Sequence, residues 1–433
     1  PVSAWEFTSE ISYKPDSNDH KTWDWGPAMQ AAADRAADVV MPGGEYALYS
    51  PVEVAYDEVS ISGNGPQRGG TRILVEIDDG SHAFQWAGIE SARRVGGGLN
   101  YMEVDGKEKN NILLDSEYAS GMTFDQVELR SSRRHAVHWR NVWDSHFMLP
   151  KFRNNGNEEE QLSAVVWDTT PEDGVNRCSM TVPHFENNHW IHLEVADSAN
   201  ASRKSSLNFL IQPKFHGRGG LTLAEQPQCP MMVLDGTHFD VFGGYMYLAD
   251  DYFIDVVSGT LQAIGILFGN NGNRPAIYMR SGVTGCVVGP NRYTNAAAPE
   301  QESWVDENYI SEPQHSLFTM AGNKAIYTDG GRLALGVNLL RRGSDYIQRD
   351  GQTPSYAMRI NNSDGEGFLI QRADAGGTDG GVIPSGDISR LLAVNATEGL
   401  KFNEAQAVSP GGSTVIAGAY GSNFNDISSS VNQ

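Results

Sequence analysis

From Val52 to about Asn295 the chain reads as short runs in which Val, Ile, Leu, Phe and Met alternate with polar residues, punctuated by Gly, Asn and Asp. A period of two marks strands with one face buried. Three runs align with one another: Met148-Leu-Pro-Lys-Phe-Arg-Asn-Asn155, Thr181-Val-Pro-His-Phe-Glu-Asn-Asn188 and Ile211-Gln-Pro-Lys-Phe-His-Gly-Arg218. Gln126–Arg130, Gly243–Tyr247 and Ile266–Asn271 fit the same frame more loosely. Taking Leu129, Phe152, Phe185, Phe215, Met246 and Phe268 as equivalent gives intervals of 23, 33, 30, 31 and 22 residues. A solenoid coil of three short strands takes roughly 20–30 residues, so the longer intervals carry loop insertions. One coil cannot bury its apolar face alone, but stacked coils can, and like residues then form ladders. The Leu/Phe/Met series is therefore expected inside.

One strong helix signal stands near the start. Ser17–Asp19 offers caps, Trp25–Asp38 is an Ala-rich amphipathic run, and Val39-Val-Met-Pro-Gly-Gly-Glu-Tyr46 follows as a short strand with a glycine turn. Ala28–Ala32 and Val39–Tyr46 resemble the opening of the pectate-lyase-like superfamily, in which an acidic residue precedes an "AIQAA" helix and a "V-hydrophobic-PxGxY" strand. The resemblance implies an all-β fold: a right-handed, single-stranded parallel β-helix with its N-terminal end plugged by the helix. It speaks for fold rather than activity.

The expected organisation is a capping segment over 1–51, the β-helix over 52–311 and a small β-rich module over 312–433. In that module Gly, Asn, Asp and Ser rise, and Asp345–Gly351 repeats weakly as Phe368–Asp374. Strands are expected at Tyr356–Ile360 and Arg390–Val394, and Gly411–Gln433 is expected to be partly extended or poorly ordered. The module is similar in look to the C-terminal parts of phage tail fibres and tailspikes, which implies a homotrimer.

Charge narrows the partners. With 54 acidic against 32 basic residues and a formal net charge of −22, the surface repels nucleic acid and anionic membranes. No stretch approaches membrane-spanning length, and Pro1–Ser9 lacks the pattern of a secretory leader. Cys178, Cys229 and Cys286 sit in or beside apolar runs and read as buried, inert thiols. No Cys/His cluster has metal spacing, so no metal or cofactor is expected, with bound calcium left open.

The candidate chemistry follows from strand alternation. If the Phe ladder points inward, its neighbours point outward in one stripe: Glu128 and Arg130, Lys151 and Arg153, His184 and Glu186, Lys214 and His216, Tyr245 and Tyr247. Coils rise by about 4.8 Å, so the stripe spans roughly 15–20 Å, the length of several sugar rings. Its Lys, Arg, His and Tyr residues suit β-elimination from an acidic sugar. That reaction needs a cation on the carboxylate, a base for the neighbouring carbon acid and an acid for the leaving oxygen. Members of the pectate-lyase-like family often use such sets. His184, Lys214, His216, Tyr245, Tyr247 and Glu186 are the catalytic candidates. Arg130, Lys151, Arg153, Asn187, Asn188, Arg218 and Asp250 are the substrate-binding ones.

The expected function is cleavage of an extracellular, uronate-containing polysaccharide by a secreted enzyme or a protein on a phage virion tail. The rival chemistry is hydrolysis by a carboxyl pair, Glu186 with Asp250 or Asp251, with Glu128 and Glu194 as outsiders. The third reading is a non-catalytic glycan-binding or fibre protein. His135, His138, His146, His189 and His192 are expected to be structural or at the surface. Glu158–Glu160 reads as a solvated loop tip.

Overall fold

The computed structural model describes residues 1–301 and 308, apart from 68, 170–172, 197–204, 220 and 298, together with the backbone of strands between 309 and 402. Two compact units divide it: Pro1–Val283 with Asn291–Glu300, and Thr284–Pro290 with Gln301–Gln433. The first is a right-handed parallel β-helix. Its strands pair in parallel, each with its equivalent one coil on, in three long sheets.

The coil containing Phe152 shows the plan. Strand His146–Met148 lies in the first sheet, Leu149 turns the chain, and Lys151–Arg153 enters the second sheet. A loop then leads to Val165–Asp168 in the third sheet. The bend is made at a left-handed residue, repeated coil after coil as Gln126 (φ 50°), Leu149 (φ 52°), Val182 (φ 51°), Gln212 (φ 50°) and Gly243 (φ 67°), the last followed by a second, Gly244 (φ 81°). Proline follows it in three coils because that position donates nothing to the ladder. Its carbonyl does serve: Pro150, Pro183 and Pro213 accept from the N–H groups of His184, Lys214 and Tyr245 at 2.8–2.9 Å.

Register confirms the interior ladder. Leu129, Phe152, Phe185, Phe215, Met246 and Phe268 are direct neighbours across successive strands of the second sheet, and all are fully buried. Phe185 stacks on Phe152 at 4.7 Å and on Phe215 at 4.4 Å between ring centroids. Trp139 and Trp167 stack at 5.5 Å in the third sheet's interior ladder.

At the N-terminal end the helix is shorter than its Ala-rich run suggests. It spans Gly26–Ala33, with Pro27 in its first turn and Trp25 rather than a Ser/Asp cap before it. Asp19 caps a separate short turn of 3₁₀ helix at His20–Thr22. The acidic residue ahead of the helix is Asp24, only 6% exposed. Its carboxylate accepts from the Tyr49 and Gly26 N–H groups and from the Ser50 hydroxyl, clamping the helix start to the first coil. Ala28, Met29, Ala32 and Ala33 face inward, as a plug must. Among the described residues no helix is long and apolar enough to cross a membrane.

In the second unit Val287–Val288 pairs in parallel with Tyr309–Glu312, and the strands that follow are antiparallel. A sheet runs through Leu317–Met320, Lys324–Asp329, Arg332–Val337, Ser355–Ile360, Glu366–Ala373, Ile388–Asn395 and Gly399–Phe402. A three-stranded sheet joins Leu339–Arg342, Asp345–Gln348 and Gly381–Ile383. The expectation for Gly411–Gln433 lies outside the described residues.

Candidate functional site

The outward neighbours of the Phe ladder form two columns on the second sheet. Glu128, Lys151, His184, Lys214 and Tyr245 are in register in one; Arg130, Arg153, Glu186, His216 and Tyr247 are in register in the other. Lys151 and Tyr245 are three coils apart, about 14 Å along the axis.

The two halves of this stripe differ electrostatically. In the N-terminal half every cation meets acid. Arg130 faces Glu103 at 3.6 Å and Asp105 at 3.8 Å, and Lys151 lies 3.7 Å from Glu128. Arg153 bridges Glu128 and Glu186, each at 3.3 Å. Two coils before Arg130, Arg72 pairs with Glu45, Glu103 and Asp105. Arg130, Lys151 and Arg153, expected to bind substrate, thus stand in a partly exposed ion-pair ladder.

The C-terminal half is different. Lys214 has no carboxylate partner among the described residues; its ammonium lies 5.7 Å from the Tyr245 ring centroid. The His216 ring is 5.4 Å from that of Tyr247, which is 41% exposed. His216 Nδ1 lies 2.8 Å from the Gly217 carbonyl. A carbonyl only accepts, so Nδ1 carries the hydrogen and a neutral ring presents Nε2 as a free acceptor. His184 stays neutral at pH 7, because burial first and the Lys214 charge second lower its pKa to about 4.

Four further candidates fall elsewhere. Asn188 is 2% exposed and turned inward. Its side chain accepts from the Asn155 N–H, donates to the Phe152 carbonyl and meets His192 Nδ1, so it stacks the turns and is out of a substrate's reach. Asn187 accepts from the Gly219 N–H at 2.6 Å and braces the loop carrying Arg218. Asp250 and Asp251 both pair with Arg274, at 3.4 and 3.6 Å.

Glu186 stands two coils before the Asp250 turn, which is about 10 Å of axial rise alone. Paired carboxyls need roughly 5–5.5 Å for retention or 6.5–9.5 Å for inversion. That rise sets Glu186 and Asp250 at the long end of the inverting range.

Two groupings escaped the sequence reading. On the third sheet His138 lies between Asp115 (3.5 Å) and Asp168 (4.0 Å), and Arg140 bridges Asp115 and Glu117 at 3.3 and 3.1 Å. Burial works against the His138 charge, but the two carboxylates outweigh it and raise the pKa. The second grouping is a cleft of about 290 Å³ at the turns that leave the second sheet, with Glu108, Arg133, Glu158, Glu159, His189 and Arg218 on its walls. Glu158, expected on a solvated tip, pairs there with Arg218 at 3.2 Å.

Comparison with known proteins gives no match to any family model and none to a curated protein. Among solved structures, a chain titled ORF18 of Geobacillus virus E2 is similar at TM-score 0.78 and 24% identity, over 94% of this chain and 80% of that one. The A-module of the Azotobacter vinelandii mannuronan C-5 epimerase AlgE4 aligns at TM-score 0.41 and 13% identity, over 72% of this chain and 100% of that one. A mutant DFA-IIIase from Arthrobacter chlorophenolicus aligns at 0.47 and 14%, over 69% and 85%. The first likeness speaks for the fold; the two enzyme alignments are too loose to carry an argument.

Proposed function

We propose that the protein cleaves an extracellular, uronate-containing polysaccharide by β-elimination, at the part of the stripe formed by Lys214, His216, Tyr245 and Tyr247. The observation that carries this reading is the Nε2 of His216, its tautomer set by the Gly217 carbonyl, beside an exposed tyrosine and a lysine that has no carboxylate partner among the described residues. Lys214 neutralises the uronate carboxylate, which makes the adjacent C–H acidic. His216 Nε2 takes that proton. The electron pair forms the new C=C bond as the glycosidic C–O bond breaks, and the Tyr247 hydroxyl protonates the departing oxygen. The products are one chain ending in an unsaturated uronate and one with a new hydroxyl. The setting proposed is outside the cell, secreted or on a phage virion tail, with the chain as a homotrimer.

The test compares His216→Gln and Tyr247→Phe with the parent on cleaved polymer. Loss of a hundredfold or more in kcat is expected for each, the usual scale of general acid–base catalysis. A second reading rests on the coupled Asp115–His138–Asp168 group. If His138→Gln abolished cleavage while His216→Gln cleaved normally, the chemistry would belong to the third sheet.

A further inference from the structure

The cleft beside the stripe has a composition that points to its ligand. At about 290 Å³ it holds roughly ten waters' worth of volume, near the lower end of small-molecule sites. Ser131, Asn154 and Asn157 complete walls whose side chains are all polar or charged. A ligand rich in hydroxyls finds hydrogen-bonding partners on every side.

Charge sharpens the choice. The Arg218 guanidinium is matched by Glu158 at 3.2 Å. Arg133, exposed on the facing turn, has no carboxylate partner among the described residues, and its backbone N–H is held by the Lys109 carbonyl. A free guanidinium at the edge of a polar cleft binds a carboxylate through two parallel N–H donors. His189, kept less basic first by burial and then by Arg218, offers an uncharged ring to a hydroxyl. Glu108 and Glu159 are acceptors for further hydroxyl hydrogens. The cleft also adjoins the stripe: Asn154 follows Arg153, and Arg218 stands two residues beyond His216.

We propose that this cleft is a subsite for a single uronate residue, carried as a branch or chain end of a polymer in the neighbouring groove, with Arg133 holding its carboxylate. Only the neighbouring polymer rests on the elimination reading. Affinity for a free acidic monosaccharide does not.

The experiment is ligand-observed saturation-transfer NMR with D-glucuronate and D-galacturonate, each against its neutral parent sugar, on the full chain. The parent protein is expected to bind an acid with a Kd in the millimolar range, about 4 kcal/mol of affinity, and to prefer it to the neutral sugar. Arg133→Gln should weaken that binding about tenfold, while Arg177→Gln, at an exposed turn outside both the stripe and the cleft, leaves it unchanged. Equal binding of neutral sugars, unchanged binding in Arg133→Gln, or no transfer from any sugar would each overturn the subsite. Arg133 is exposed, so thermal melting should show its variant folded. Elimination without uronate binding would sink the subsite and spare the groove; binding without elimination would do the reverse.

Discussion

Phe185 is the residue on which the ladder can be tested most severely. Its ring is fully buried and sandwiched between Phe152 and Phe215, at 4.7 and 4.4 Å. Truncation to alanine removes the transfer free energy of the ring and leaves a cavity in a close-packed interior, about 3–5 kcal/mol. The two stacked pairs add about 0.5–1.5 kcal/mol each. Phe185→Ala should therefore cost about 4–8 kcal/mol, and Phe185→Leu, which keeps most of the volume but loses the stacking, about 1–3 kcal/mol. The assay is amide hydrogen exchange at residues 151–153, 184–187 and 214–217, because a solenoid opens locally and reports the loss where it occurs. Protection should fall in those three strands and hold in the N-terminal coils. The reasoning is refuted if Phe185→Ala costs less than about 1.5 kcal/mol, if leucine costs as much as alanine, or if protection falls uniformly along the chain.

Burial and backbone conformation fix other outcomes. His192 and His135 are buried, and burial lowers their pKa to about 3 and about 4. The unfolded chain takes up protons near pH 6.5 where the native chain does not, so stability present above that pH drains away as pH falls toward 4. Urea midpoints should drop over that window, and His192→Gln should flatten the drop. Val182 is β-branched yet left-handed (φ 51°), so Val182→Asn should raise stability by about 1 kcal/mol in urea titration. Burial raises the Cys178 and Cys229 thiols above the ordinary thiol range; a thiol reagent should label neither in the native chain and both in denaturant.

What the sequence made legible depends on where the physics is local. The ladder was readable because Phe152, Phe185 and Phe215 each sit behind a Pro-(Lys/His) pair and obey period two. The ion pairing of the stripe was not, because the acids that engage Arg130 come from Glu103-Val-Asp-Gly-Lys, a coil without that motif. Asn188 looks like a surface polar residue in any window. Its partner Asn155, 33 residues earlier, is the signal that it stacks inward, and the doubled Asn-Asn of the aligned repeats carries it. The cleft draws on turns from several coils and on the insertion behind the 33-residue interval, so no single segment announces it. Strand alternation brought Lys214, His216 and Tyr247 together, but the side-chain tautomer of His216 needed the Gly217 carbonyl to be placed.

The measurement that bears most directly on the central claim is ultraviolet absorbance of unsaturated uronates while the protein acts on alginate, pectate, hyaluronan-like and bacterial capsular polymers. The account predicts rising absorbance in step with chain shortening on at least one of them, absent in His216→Gln. Polymers shortened without any absorbance would contradict elimination, and a panel left uncut would contradict cleavage of these acidic chains altogether.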